Sequence, residues 1–181
     1  MQEFVNPHSL RNGIFDLLSS INIATDENVK LLDYTSELFN KNGLSSDYYG
    51  YHNIDHELEV TYVTLMSSIH SFNQKKFELD DVRYLFASSL LHDFDPRKAA
   101  DRPHEKSVID FINNDKKIQK LLQDANIDFN LVCALILRTV YPWTGKIKSK
   151  TEEEIKNYSQ KILIEFLVLK LVHVLIVITC L

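Results

Sequence analysis

The chain has 181 residues, a length that suits one domain and lets folding bury roughly two thirds of the surface the unfolded chain exposes. Its 45% apolar and 25% charged residues are those of a globular protein and exclude intrinsic disorder. A net charge of −5 with scattered lysines and arginines excludes the basic stripe that tracks a nucleic-acid backbone.

Only 4 glycines and 4 prolines punctuate the chain, which predicts helices joined by short polar loops rather than a sandwich of hairpins. Asn6-Pro7-His8-Ser9 marks a turn or helix start before Leu10, Ile14, Leu17, Leu18 and Ile21, which recur at helical spacing. Thr25-Asp26-Glu27 caps a second helix, whose apolar positions Val29, Leu32, Tyr34, Leu38 and Phe39 run to a stop at Asn42-Gly43. From about Asn53 to Ile69, the residues Leu58, Tyr62, Leu65, Met66 and Ile69 repeat at helical spacing, so an amphipathic helix is entered through His52 and His56 on one face. Asp80-Asp81 begins another, with Val82, Leu85, Phe86, Ser89 and Leu90 along its buried side and Asp93 and Pro96 at its end.

After a polar loop from Arg97 to Arg102, Pro103 suits a first helical position before Val108, Ile109 and Phe111-Ile112. Asp128 caps the next helix, Leu131 to Val140, which is apolar almost all round and so belongs at the centre of the core. Tyr141-Pro142-Trp143-Thr144-Gly145 breaks the chain, Lys146 to Lys150 reads as a basic loop, and Thr151-Glu152-Glu153-Glu154 starts a helix whose acidic first turn matches its dipole. From Ile162 to Leu181 only Glu165, Lys170 and His173 interrupt an apolar run. A bilayer span needs about 20 predominantly apolar residues, so this segment reads first as buried core helix, second as an altered or truncated C-terminus, and third as a membrane anchor. Cys133 and Cys180 lack CxxC spacing, and Met1-Gln2-Glu3-Phe4 lacks a basic n-region, so a reducing, cytoplasmic setting is expected.

The chemistry concentrates between Tyr49 and His104, which hold five of the seven histidines. Tyr51-His52-Asn53-Ile54-Asp55-His56 and Leu90-Leu91-His92-Asp93-Phe94-Asp95-Pro96 read as opposing walls of a metal site. Two imidazoles four apart on a helix reach one small site and can bind a divalent metal; the same spacing also suits a solvated helix start. His92-Asp93 says more, because it ends a strongly apolar helix. An imidazole and a carboxylate buried side by side are costly unless paired or bound to a cation. Asp95 and His104 follow closely in sequence and could serve a second ion. Mixed ligands of this kind suit Zn, Mn, Fe, Co or Ni, with Mg at a carboxylate-rich position. Such a cation activates water and polarises a phosphoryl oxygen, and a histidine off the metal can protonate the leaving group, which together describe phosphoester hydrolysis. Arg97, Lys98 and Arg102 read as a solvated cluster, and neither a P-loop nor a nucleophile elbow is present.

Tyr51-His52-Asn53-Ile54-Asp55-His56 followed by Ser89-Leu90-Leu91-His92-Asp93 resembles the HD superfamily of metal-dependent phosphohydrolases. The Tyr-His-Asn-x-x-His form is similar to the branch that holds cyclic nucleotide phosphodiesterases and small HD hydrolases, and Pro103-His104-Glu105-Lys106-Ser107 resembles the helix start after the His-Asp pair in the small members. The resemblance implies an all-α, HD-domain-like helical bundle in a single domain, 1–181, with the motif-bearing core at 49–139 and an atypical apolar segment at 162–181. It implies His56, His92 and Asp93 as metal ligands, Asp93 and His52 as the catalytic pair with His52 as general acid, one or two divalent ions, and a small phosphorylated substrate, a nucleotide foremost. The family's further Asp ligand on a late helix has no counterpart in Ile162 to Lys170, where Glu165 is the one carboxylate. Two other readings stay open: a non-catalytic member that binds metal or nucleotide, and a membrane-associated helical protein whose histidines are structural.

Overall fold

The structure, a computed structural model, describes residues 7–41, 53–94, 105–139 and 145–156. These form eight helices and no strand, so the fold is all-α, as expected.

The first helix, α1 (Pro7–Ser20), buries Leu10, Ile14 and Leu18 along one face. It ends at Asn22, whose φ of 60° lets the Ile23 N–H return to the Leu18 carbonyl at 2.9 Å; asparagine tolerates this left-handed conformation better than most residues. Helix α2 (Asp26–Lys41) then buries Asn28, Leu31, Leu32, Thr35 and Phe39. Asn28 takes the inward place expected of Val29, because its Nδ2 donates to the buried Ile23 carbonyl at 2.9 Å.

Helix α3 (Ile54–Asn73) is the longest at 20 residues, and α4 (Leu79–Leu91) follows after a short connection. The first turn of α3 meets the residues just past the end of α4, so the pair is an antiparallel hairpin. Its seam includes Leu58, Leu65 and Ile69 of α3 and Val82, Phe86 and Leu90 of α4. Helix α1 packs on α3 and α2 packs on α6 (Lys116–Asp124), where Tyr34 donates to Asp115 at 3.0 Å. Helix α5 (Glu105–Asn114) buries Val108 and Ile112, α7 (Phe129–Arg138) lies against α4, and α8 (Gly145–Lys156) lies against α7. Asp128 caps α7, its Oδ1 accepting from the N–H groups of Asn130 and Leu131 at 2.8 and 3.1 Å.

Two elements correct the sequence reading. Helix α6 had no counterpart in it; Asp115 caps the helix by accepting from Lys117 and Ile118 at 2.9 and 3.0 Å, and only Ile118, Leu121 and Leu122 are buried. Lys146 to Lys150 is not a loop but the first half of α8. Lysine forms helices well, and Lys148 reaches Glu152 one turn on at 3.9 Å. Trp143 and the apolar segment 162–181 lie outside the described residues. Among those described, no helix is long and apolar enough to cross a membrane.

Phe94 fixes the chain immediately after His92-Asp93. Its fully buried ring lies 4.9 Å from that of Phe39 in α2 and 5.2 Å from that of Phe111 in α5. Truncating a buried Phe typically costs about 3–5 kcal/mol. Phe94→Ala is therefore expected to lower the unfolding free energy by about that amount in urea denaturation; a loss below about 1 kcal/mol would mean that the ring is not a clamp.

Candidate metal centre

At the start of α3 the backbone of Asn53 is extended (φ −131°, ψ −179°), and its side-chain oxygen accepts the His56 N–H at 3.0 Å. This cap satisfies one of the orphan donors of the first turn and sets His56 facing α4. Of the two histidines expected on one face, His56 lies in the first turn of α3. His52 lies outside the described residues, as do Asp95, His104, Glu165, Arg97, Lys98 and Arg102.

At the far end of the hairpin, His92 still has helical dihedrals (φ −65°, ψ −36°), and Asp93 forms the turn that follows. The Nδ1 of His92 lies 2.8 Å from the Ser89 carbonyl oxygen. A carbonyl only accepts, so Nδ1 carries the hydrogen and Nε2 is left to face the site. The Nε2 of His92 stands 3.3 Å from Asp93 Oδ2, and the Nε2 of His56 stands 3.4 Å from the same oxygen. The two rings meet edge to face with centroids 5.5 Å apart.

His56 and His92 are 5% and 2% exposed, while the Asp93 side chain keeps 22% of its surface. One donor atom from each of the three residues falls within 4.8 Å of the others, so this group could hold a metal ion. Two ligands about 2.1 Å from a single tetrahedral ion stand about 3.4 Å apart, which matches the imidazole-to-carboxylate separations. The buried His92 Nε2 has the Asp93 carboxylate at 3.3 Å but no well-formed hydrogen bond, a state that a cation would relieve. Two nitrogens and a carboxylate oxygen are a donor set that transition metals take with positions to spare for water or substrate.

The chain matches no known family, no curated protein and no solved structure.

The structure brings together His56, His92 and Asp93, the three residues expected to ligate the metal. It leaves His8 and His70 on the surface, away from the site. The sequence reading missed Glu57. This residue is 1% exposed, and its Oε1 lies 3.4 Å from His92 Nδ1 and accepts the Asp93 backbone N–H at 3.5 Å. Burial pushes its carboxyl pKa up, while the neighbouring His92 imidazole acts in the opposite sense. For His92, burial acts to lower the pKa, but the carboxylates of Asp93 and Glu57 outweigh it and hold the imidazole well above its ordinary value.

His92 must therefore shed a proton before Nε2 can ligate. In the metal-free protein its raised pKa contributes stability that is complete below pH 6.5 and is lost as pH rises through the folded value. Metal binding has the opposite dependence, strengthening about tenfold per pH unit while it displaces one proton. Calorimetric titration with Zn²⁺ between about pH 6 and pH 8 should show affinity rising with pH and proton release into the buffer. An affinity flat across this range would mean that no proton leaves His92 on binding.

Proposed function

We propose that the protein is a divalent-metal-dependent phosphohydrolase of the HD type, acting on a small phosphoester, a nucleotide foremost, in a reducing, cytoplasmic setting. The observation that supports this reading is the convergence of His56 Nε2, His92 Nε2 and Asp93 Oδ2 from the two ends of one hairpin. When bound, a divalent cation supplies a lowered pKa for water and polarisation of a phosphoryl oxygen. His56 and His92 hold it from the dry side. Asp93 is the most open of the three, so substrate approaches past its carboxylate. His52, which precedes the Asn53 cap by one position, is assigned the proton donated to the departing oxygen, a role in keeping with the Tyr-His-Asn-x-x-His pattern.

One observation favours a second reading, in which the protein binds metal without turnover: Ile162 to Lys170 lacks the late Asp that the HD pattern calls for. A screen separates the two. Protein loaded with Mn²⁺, Zn²⁺, Fe²⁺ or Mg²⁺ is offered nucleoside monophosphates, cyclic nucleotides and simple phosphomonoesters, with phosphate release or ester opening as the readout. The phosphohydrolase reading expects turnover that drops more than about 100-fold in His92→Ala and Asp93→Ala, beyond the cost of losing an outer-sphere partner. It also expects His52→Ala to lower kcat about 10²–10⁴-fold with metal content unchanged. Retained metal with no turnover on any ester selects the second reading, and absence of metal removes both.

A further inference from the structure

We propose that Glu57 is the positioning residue of this metal centre: it orients His92 and Asp93 from behind and supplies the second buried negative charge that matches the site to a divalent cation. The inference rests on the metal-centre reading and deepens it. Glu57 is adjacent in sequence to His56 on α3, yet its carboxylate crosses the hairpin seam to the end of α4. There Oε1 lies beside Nδ1 of His92, the ring nitrogen that does not face the cluster, and it also accepts the backbone N–H of Asp93. One carboxylate thus touches both residues that α4 contributes, and it is carried by the helix that contributes the third.

Metal-binding imidazoles commonly donate their second N–H to a carboxylate or a carbonyl, which fixes the ring and raises its basicity. Here Nδ1 of His92 has one of each, Ser89 O at 2.8 Å and Glu57 Oε1 at 3.4 Å. The Ser89 carbonyl alone would settle the tautomer, so the carboxylate contributes charge. Burying a carboxylate this deeply is costly unless a cation repays it, and Glu57 Oε2 is buried without a hydrogen-bond partner. Asp93 and Glu57 together carry two negative charges against two imidazoles that are neutral when ligating. A doubly charged cation balances them.

The decisive comparison is Zn²⁺ affinity against metal-free stability in Glu57→Gln, measured on the full chain by chelator competition and thermal melting. Gln keeps the shape and an acceptor oxygen but removes the charge. The variant should bind Zn²⁺ about 10–100-fold more weakly while its metal-free form melts at or above the parent temperature, and the Co²⁺-loaded visible spectrum should shift as the His92 ring loses its charged partner. Parent-like Zn²⁺ affinity with a lowered melting temperature would make Glu57 a structural residue and overturn the inference. Glu57→Asp keeps the charge but withdraws it by one methylene; it should fall between parent and Gln. If Glu57→Gln does not fold, the Asp variant decides, with weakened Zn²⁺ binding at parent-like helicity supporting the role and parent-like affinity overturning it. A parent protein that takes up no Zn²⁺ would defeat the metal-centre reading itself and this inference with it, an outcome distinct from a parent that binds and variants that bind equally.

Discussion

Charge removed from water at the open end of the α3–α4 hairpin is the constraint that its surroundings answer to. Glu57 and His92 are almost wholly buried, His56 is nearly so, and Asp93 alone retains contact with solvent. A lone carboxylate in such a place costs several kcal/mol. Without a cation the four groups can only share protons, which is why His92 is driven to hold its proton and Glu57 is driven toward neutrality. Both displacements are reversed by a positive ion at the common focus. The cluster is better explained as half of an ion-binding site than as a device for stability, since buried ion pairs are often no more stabilising than apolar residues of the same volume.

The fold serves this constraint by local means. Asn53 closes the first turn of α3 and in doing so aims His56, so one hydrogen bond both starts the helix and sets one member of the cluster. Phe94 clamps the strand of chain beyond Asp93 between rings from α2 and α5. Between them runs a seam with buried hydroxyls at Thr61, Thr64, Ser68, Ser88 and Ser89. Thr61, Ser68, Ser88 and Ser89 satisfy themselves on carbonyls of their own helices at 2.8 to 3.1 Å. Such back-bonding lets a polar group be buried without a partner across the interface.

Much of this was legible in the chain. Apolar residues at helical spacing marked most of the helices, and the juxtaposition of an imidazole and a carboxylate at the end of an apolar helix singled out His92 and Asp93. Glu57 was not legible because nothing marks it as buried. The positions one, two and three turns along its face are Thr61, Thr64 and Ser68, so the stripe that enters the seam is polar. An acidic residue in a first turn ordinarily reads as a dipole partner facing water. Helix α6 was missed although Ile118, Leu121 and Leu122 stand at helical spacing behind the Asp115 cap, whereas the first half of α8, Lys146 to Lys150, alternates lysines with Ile147 and Ser149 and carries no apolar stripe. Met66 shows the converse: it fits the apolar period of α3 but is 45% exposed, because packing by neighbours, and not hydropathy alone, decides which side of a helix is covered.

The hairpin also bears on how the centre comes into being. His56 and His92 are joined by two helices and one short connection, so the contact between them is long in sequence but is closed by the zipping of a single pair of elements. Helical pairs of this kind form early because little loop entropy has to be spent. The docking of α3 and α4 therefore brings His56, His92 and Asp93 together. A cation present during synthesis would meet a formed site on a partly folded chain and add its binding energy at that stage. An ion held there would exchange past Asp93, the one residue of the three that keeps solvent contact.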